Sequence, residues 1–132
     1  IKKKFFKVMI DAAHCGDSDL SIAENEKVIK DLAKTDALGI FHASAKTTRG
    51  CLSTDDGWIG ALLAAYAPTG MLKHVFVELF HHQDPALEPL RKAVKGHGVD
   101  TTDGRTYNKT VTDGVIEVTH RLNNLAARKL IK

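Results

Sequence analysis

The sequence predicts a single α/β domain over residues 1–132, a three-layer arrangement with a mostly parallel sheet of about four to five strands and helices on both faces. Three observations predict it. Short apolar runs alternate with longer stretches of helical periodicity, turn residues separate the two kinds of segment, and 43% hydrophobic residues can fill one core without disulfides or an obligatory structural metal.

Residues 5–11 (Phe-Phe-Lys-Val-Met-Ile-Asp) form an almost wholly apolar run ending in an acid, as a buried strand that opens into a loop would read. Ser21-Ile-Ala-Glu24 has capping-box spacing, and Ile22, Val28, Ile29, Leu32 and Ala33 recur at helical intervals as far as Lys34, which predicts the first helix. A second apolar run at 37–44 predicts strand two, and the order strand, helix, strand argues for parallel pairing. Residues 46–57 are polar and punctuated by glycine, a loop. Trp58, Ile59, Leu62, Leu63 and Tyr66 then mark one face of a second helix that stops before Pro68 and Gly70. Residues 73–80 are β-branched and aromatic and predict a third strand, and 85–95 a helix closed by Gly96. Residues 96–114 carry no clear period. A last strand is expected at 115–119 and a terminal helix at 121–131 with Leu122, Leu125, Ala126 and Leu130 inward. No internal repeat, low-complexity tract or interdomain linker interrupts the chain.

Nineteen Lys and Arg against sixteen Asp and Glu give a net charge of +3, and the excess sits at Lys2, Lys3 and Lys4 and at Arg121, Arg128, Lys129 and Lys132. Basic charge at the chain ends is a solvation device and falls short of the stripe that neutralises phosphates, so no nucleic-acid partner is expected. Cys15 and Cys51 could form one bridge, with Cys15 in an expected loop between His14 and Gly16, so cysteine usage does not fix the redox compartment. No apolar run approaches the ~18 residues of a membrane span. The start Ile-Lys-Lys-Lys-Phe-Phe lacks a signal peptide's apolar stretch and cleavage site, and an opening Ile1 suggests a processed or trimmed chain. Cytoplasmic, secreted and phage-borne locations all stay open.

Ligands of an open α/β sheet collect outside the carboxyl ends of its strands, where loops and helix N-termini converge. Asp11 and His14 follow strand one, His42 lies near the end of strand two, His81 and His82 follow strand three, and His120 follows the expected last strand. Any one of these histidines could equally be an ordinary polar residue of a surface loop. Glu24 has the place of a capping-box acid and is assigned a structural role. Glu26 borders the apolar face of the first helix and is expected to lean toward the sheet, where a carboxylate must find a cation, hydrogen bonds or a proton.

His14, Glu26 and His42 would supply two imidazoles and one carboxylate, a set that can hold zinc and leave a position for water. Zinc-bound water ionises near neutral pH and can attack a carbonyl if a second acid handles protons. Glu117, in Val-Ile-Glu-Val-Thr, is the candidate for that acid, unless it faces solvent on an edge strand. His74, Glu78 and His82 alternate onto one face of strand three, but the outer two would be roughly 13 Å apart in an extended chain, too far to share one ion. A Cys15 nucleophile activated by His14 is disfavoured because sequence neighbours seldom align as thiolate and base. A small α/β enzyme could instead bind an anionic metabolite at the helix preceded by Ser53-Thr54-Asp55-Asp56, although the two acids oppose that anion. A third possibility is a non-catalytic regulatory or assembly subunit. Oligomeric state is open.

Several segments, read in order, resemble the zinc-dependent N-acetylmuramoyl-L-alanine amidases of the amidase-3 type. Val8-Met-Ile-Asp-Ala-Ala-His14-Cys-Gly16 resembles that family's opening strand and metal histidine, with Ala12-Ala13 where Pro-Gly usually stands. The stretch from Glu26 to Ala33 resembles the helix bearing its metal glutamate, and Leu38-Gly-Ile-Phe-His42-Ala-Ser-Ala45 its second metal histidine. Val77-Glu-Leu-Phe80 with the stretch from Pro89 to Val94, and Val115-Ile-Glu117-Val with Leu122-Asn-Asn124, resemble its next strand and helix and the strand holding its catalytic glutamate. The resemblance implies His14, Glu26 and His42 as zinc ligands. It also implies Glu117 as general base and proton donor, and peptidoglycan as substrate, cut at the amide between the lactyl group and L-alanine. The chain departs from the family pattern in carrying only residues 27–41 between Glu26 and His42, where the family inserts a further strand and helix.

Overall fold

The structure is a computed structural model, and it describes residues 6–46, 57–79, 84–93 and 104–131. Alternating apolar segments assemble into a mixed α/β fold with a small parallel sheet. In chain order the elements are β1 (Val8–Asp11), α1 (Ala12–Asp17), α2 (Ile22–Lys34), β2 (Leu38–Ala43), α3 (Trp58–Tyr66), β3 (Val75–Val77), α4 (Glu88–Ala93) and α5 (Tyr107–Ala127). Short 3₁₀ turns cover Ala67–Thr69 and Pro85–Leu87.

The three strands lie in the order β1-β2-β3, and both pairings are parallel. Register aligns Asp11 with His42 and His42 with Phe76. An irregularity between Val8 and Ile10 shifts the register of the first pair. Glycine is required there, since a Cβ on Gly39 would lie 2.8 Å from Cβ of Lys7.

Strand alternation sends Ile10, Phe41 and Ala43 to one face, where they meet Ile29 of α2 and Ile59, Leu62, Leu63 and Tyr66 of α3 in one buried cluster. Phe41 and Tyr66 pack edge to face with centroids 6.1 Å apart, and the Tyr66 hydroxyl donates to the Gly39 carbonyl at 2.7 Å. Burial pushes the Tyr66 phenol up to about 12. The opposite alternation, Met9, His42 and Phe76, stays half-buried or exposed.

Helix α2 starts with the expected capping box: the Ser21 hydroxyl accepts from Glu24 N, and the Glu24 carboxylate accepts from Ser21 N at 2.8 Å. The Ser21 hydroxyl, which donates to the Glu24 carboxylate at 2.6 Å, and then the Ser21 backbone N–H hold the Glu24 carboxyl below its usual value. Helix α3 likewise spans the predicted apolar face, and Gly70 turns with φ 74° after it, a left-handed conformation natural to glycine.

Three expectations are corrected. Residues 12–17 form a short helix, not a loop, because the Asp11 carboxylate caps it by accepting from the backbone of Ala13 and His14. Strand three is limited to Val75–Val77, so the described residues form a three-stranded sheet. The expected strand at 115–119 lies in the middle of α5, which opens at Thr106 with the hydroxyl accepting from Lys109 N and runs through to Ala127. Five residues rich in β-branched side chains read as strand, but Thr110, Gly114, Val118 and Leu125 are buried at helical spacing, and tertiary packing of that stripe decides.

Truncating the buried ring in Phe41→Ala should lower unfolding free energy by about 3–5 kcal/mol, whereas Ser21→Ala should cost only about 1 kcal/mol through the lost cap. Urea unfolding followed by tryptophan fluorescence compares the two, and equal losses would contradict the packing described.

Candidate metal centre

The buried carboxylate at the end of β1 organises the carboxyl edge of the sheet. Asp11 is 6% exposed, so its charge needs partners. Its Oδ1 accepts from Ala13 N at 2.9 Å, from His14 N at 3.1 Å and from the buried Ser44 hydroxyl at 3.5 Å. Ser44 Oγ also accepts from Ala13 N at 3.2 Å, and the Trp58 indole donates to the Ala12 carbonyl at 2.8 Å. Strand β2 and helix α3 thus clamp the β1–α1 corner, and they leave Oδ2 directed toward His42.

His42 sits beside Asp11 in register, with its side chain 22% exposed. Its Nδ1 lies 3.8 Å from Asp11 Oδ2 and 3.8 Å from Glu78 Oε2, and this buried nitrogen has no hydrogen-bond partner. Glu78 follows directly after β3 and is tied to β2 by its backbone N–H, which donates to the Ala43 carbonyl at 2.9 Å. Ligand atoms of Asp11, His42 and Glu78 all lie within 4.8 Å of one another, and this is the group among the described residues that could hold a metal ion.

The spacing discriminates between partners. A hydrogen bond would bring nitrogen and oxygen to about 2.9 Å. Two ligands ~2.1 Å from one tetrahedral ion are about 3.4 Å apart, so separations of 3.8 Å lie closer to a shared cation than to a shared proton. Three such ligands, one from the end of each strand, would leave coordination positions for water or substrate.

Of the residues assigned to a metal by sequence, His42 is in this group, while His14 and Glu26 are not. His14 lies on α1, three residues beyond Asp11, and its side chain is exposed. Glu26 borders the apolar face of α2 as expected, but that edge meets α3 and not the strand ends: it lines a cleft with Ala64, Pro68 and Thr69 and pairs with Lys30 at 3.4 Å. Glu117, expected on a strand, lies in α5 and pairs with Arg121 at 3.1 Å. His120 is exposed on the same helix, His74 is exposed before β3, and His81, His82 and residues 53–56 fall outside the described residues.

Asp11 and Glu78 are the members of this group that the sequence pattern does not single out as metal ligands. The signal for both was position, since each is the acid closest to the end of a strand. The strand of Glu78 offers no second ligand within reach of one ion along its own length, whereas parallel pairing brings the others from the neighbouring strands. The chain matches no protein-family model, no curated protein and no solved structure. The geometry of this cluster therefore carries the functional reading.

Cys15 stands near the group on α1 but is not activated by it. Burial, and then the negative charge of Asp11, push its thiol above the usual value, so it remains protonated at neutral pH. In a Cys51→Ser background, alkylation by iodoacetamide at pH 7.5 should run slower than for free cysteine, and a rate at or above that of the free thiol would contradict the environment described.

Proposed function

We propose that this chain is a divalent-metal-dependent hydrolase whose ion is held by Asp11, His42 and Glu78. The observation that carries the reading is the mutual approach of those three ligand atoms within 4.8 Å at the carboxyl edge of a parallel sheet. One imidazole and two carboxylates suit zinc and other first-row cations, and zinc is the ion proposed. Bound there, it would supply an ionised water near neutral pH and polarise a carbonyl. The protein's part is to hold the ligands: Asp11 is fixed by its cap and by Ser44, and His42 is set beside it by register.

An amide is the bond class proposed. The two segments that frame the cluster, Val8 to Gly16 and Leu38 to Ala45, are those that resemble the opening strand and the second histidine segment of the zinc amidases. In this reading Asp11 and Glu78 take the ligand places that the resemblance implies for His14 and Glu26. The amide between lactyl group and L-alanine in peptidoglycan is the first substrate to test.

The folded chain should bind one zinc per molecule by elemental analysis and calorimetry. His42→Ala should weaken that affinity by at least about tenfold, since even residues that merely support metal ligands cost about 10–100-fold. Asp11→Asn should do the same while leaving the fold nearly intact, because an amide oxygen still caps α1. Zinc-dependent release of peptide from muropeptide, abolished by chelation, would support the reaction. A stably folded protein that takes up no metal would sink it and favour a non-catalytic subunit.

A further inference from the structure

The metal cluster has an apolar neighbour. Phe76 is the register partner of His42, its ring lies 5.6 Å from the imidazole centroid, and it is 51% exposed. The same ring lines a groove of about 570 Å³ between β3 and α5, together with Val77, Val111, Val115, Leu122 and Ile131. Phe76 is thus shared by the groove lining and the surroundings of His42. The volume of the groove lies in the range of small-molecule sites, which run roughly 300–1,000 Å³. Val115 and Ile131 are exposed at 49% and 38%, so apolar surface there remains open to water.

We infer that the groove between β3 and α5 is the acyl-side subsite of the metal centre, and that it accepts the apolar tail of an N-acyl amide whose carbonyl reaches Asp11, His42 and Glu78. The inference rests on the metal-hydrolase reading and names a further substrate class for it. Phe76 joins the two halves, since its ring packs tilted against the imidazole and also lines the groove. A metal-bound carbonyl therefore has an apolar channel on one side, where an aliphatic or aromatic acyl tail leaves water. Burial in the groove adds to the binding of a fatty or arylalkyl acyl group, so an N-acyl amide is a second substrate class for the same centre beside the lactyl amide. Hydrolysis in this arrangement breaks the amide C–N bond: water adds its oxygen to the carbonyl carbon, the amine leaves with a proton, and the tail stays on the carboxylate product. Lys73 is the charged residue of the groove lining, and its aliphatic stem can cover a tail while its ammonium remains in water.

Hydroxamic acids test this, since the head group chelates a protein-bound zinc and the tail can be varied alone. With the zinc-loaded full chain, octanohydroxamate should bind at least tenfold tighter than acetohydroxamate in calorimetry. Val115→Asp, on the exposed side of α5, should erase that advantage without changing zinc uptake or acetohydroxamate affinity, and Val115→Leu should retain it. Zinc uptake with no dependence on tail length, or an advantage that survives Val115→Asp, would overturn the groove assignment and leave the metal centre standing. A chain that takes up no zinc would overturn both.

Discussion

Burial of the Asp11 carboxylate at the point where β1 gives way to α1 is the constraint on which the rest of the site depends. A charge taken out of water needs several donors, and here one oxygen collects two backbone N–H groups and the Ser44 hydroxyl. That demand starts α1 immediately after the strand, fixes β2 against the corner through Ser44, and leaves one oxygen free to act outward. The close approach is reinforced from the other side: a Cβ on Gly16 would fall 1.9 Å from the Lys46 carbonyl, so α1 can lie against the chain leaving β2 only because that residue is glycine. Asp11 thus acts as cap and as candidate ligand through different oxygens.

The sheet divides its two faces between the core and the candidate site. On one, Ile10, Phe41 and Ala43 are sealed by α2 and α3, and Tyr66 adds a hydrogen bond to the strand backbone that a phenylalanine could not supply. On the other, the same alternation aligns Asp11, His42 and Phe76 across three neighbouring strands. In a parallel sheet residues in register repeat at the ~4.8 Å strand spacing, so side chains of ordinary length at adjacent positions can converge on a common point. The core need not deform to build the cluster, because strand pairing already brings its members close.

Much of this was legible in the sequence, and the failures have definite causes. Strands β1 and β2, helices α2 and α3 and the capping box at Ser21 follow from local patterns that are strong over their own length. The turn signals around Pro68 and Gly70 mark the end of α3 in the same way. Helix α5 was misread where Val115, Ile116 and Val118 cluster, because propensity over a short window competed with a buried stripe whose period shows only over several turns. The site was half legible. His42 and Asp11, both expected at strand ends, lie together in the group that could hold a metal ion. Glu78 was missed because its reach was judged along its own strand, while the relevant distance runs across the sheet. Glu26 was misjudged for the converse reason: facing inward on a helix does not specify which neighbour it faces, and α3 occupies that side.

The charges of the cluster bear on what completes it. Two carboxylates with oxygens within 4.8 Å of each other repel by about 3 kcal/mol at an effective dielectric of ~20, before solvent screening of the more exposed Glu78. His42 lies between them. Its Nδ1, at 3.8 Å from each oxygen, is also too distant to hydrogen-bond either. A divalent cation would attract both carboxylates at once and could take the imidazole as its third ligand, which suits the spacing and the Nδ1 that has no hydrogen-bond partner.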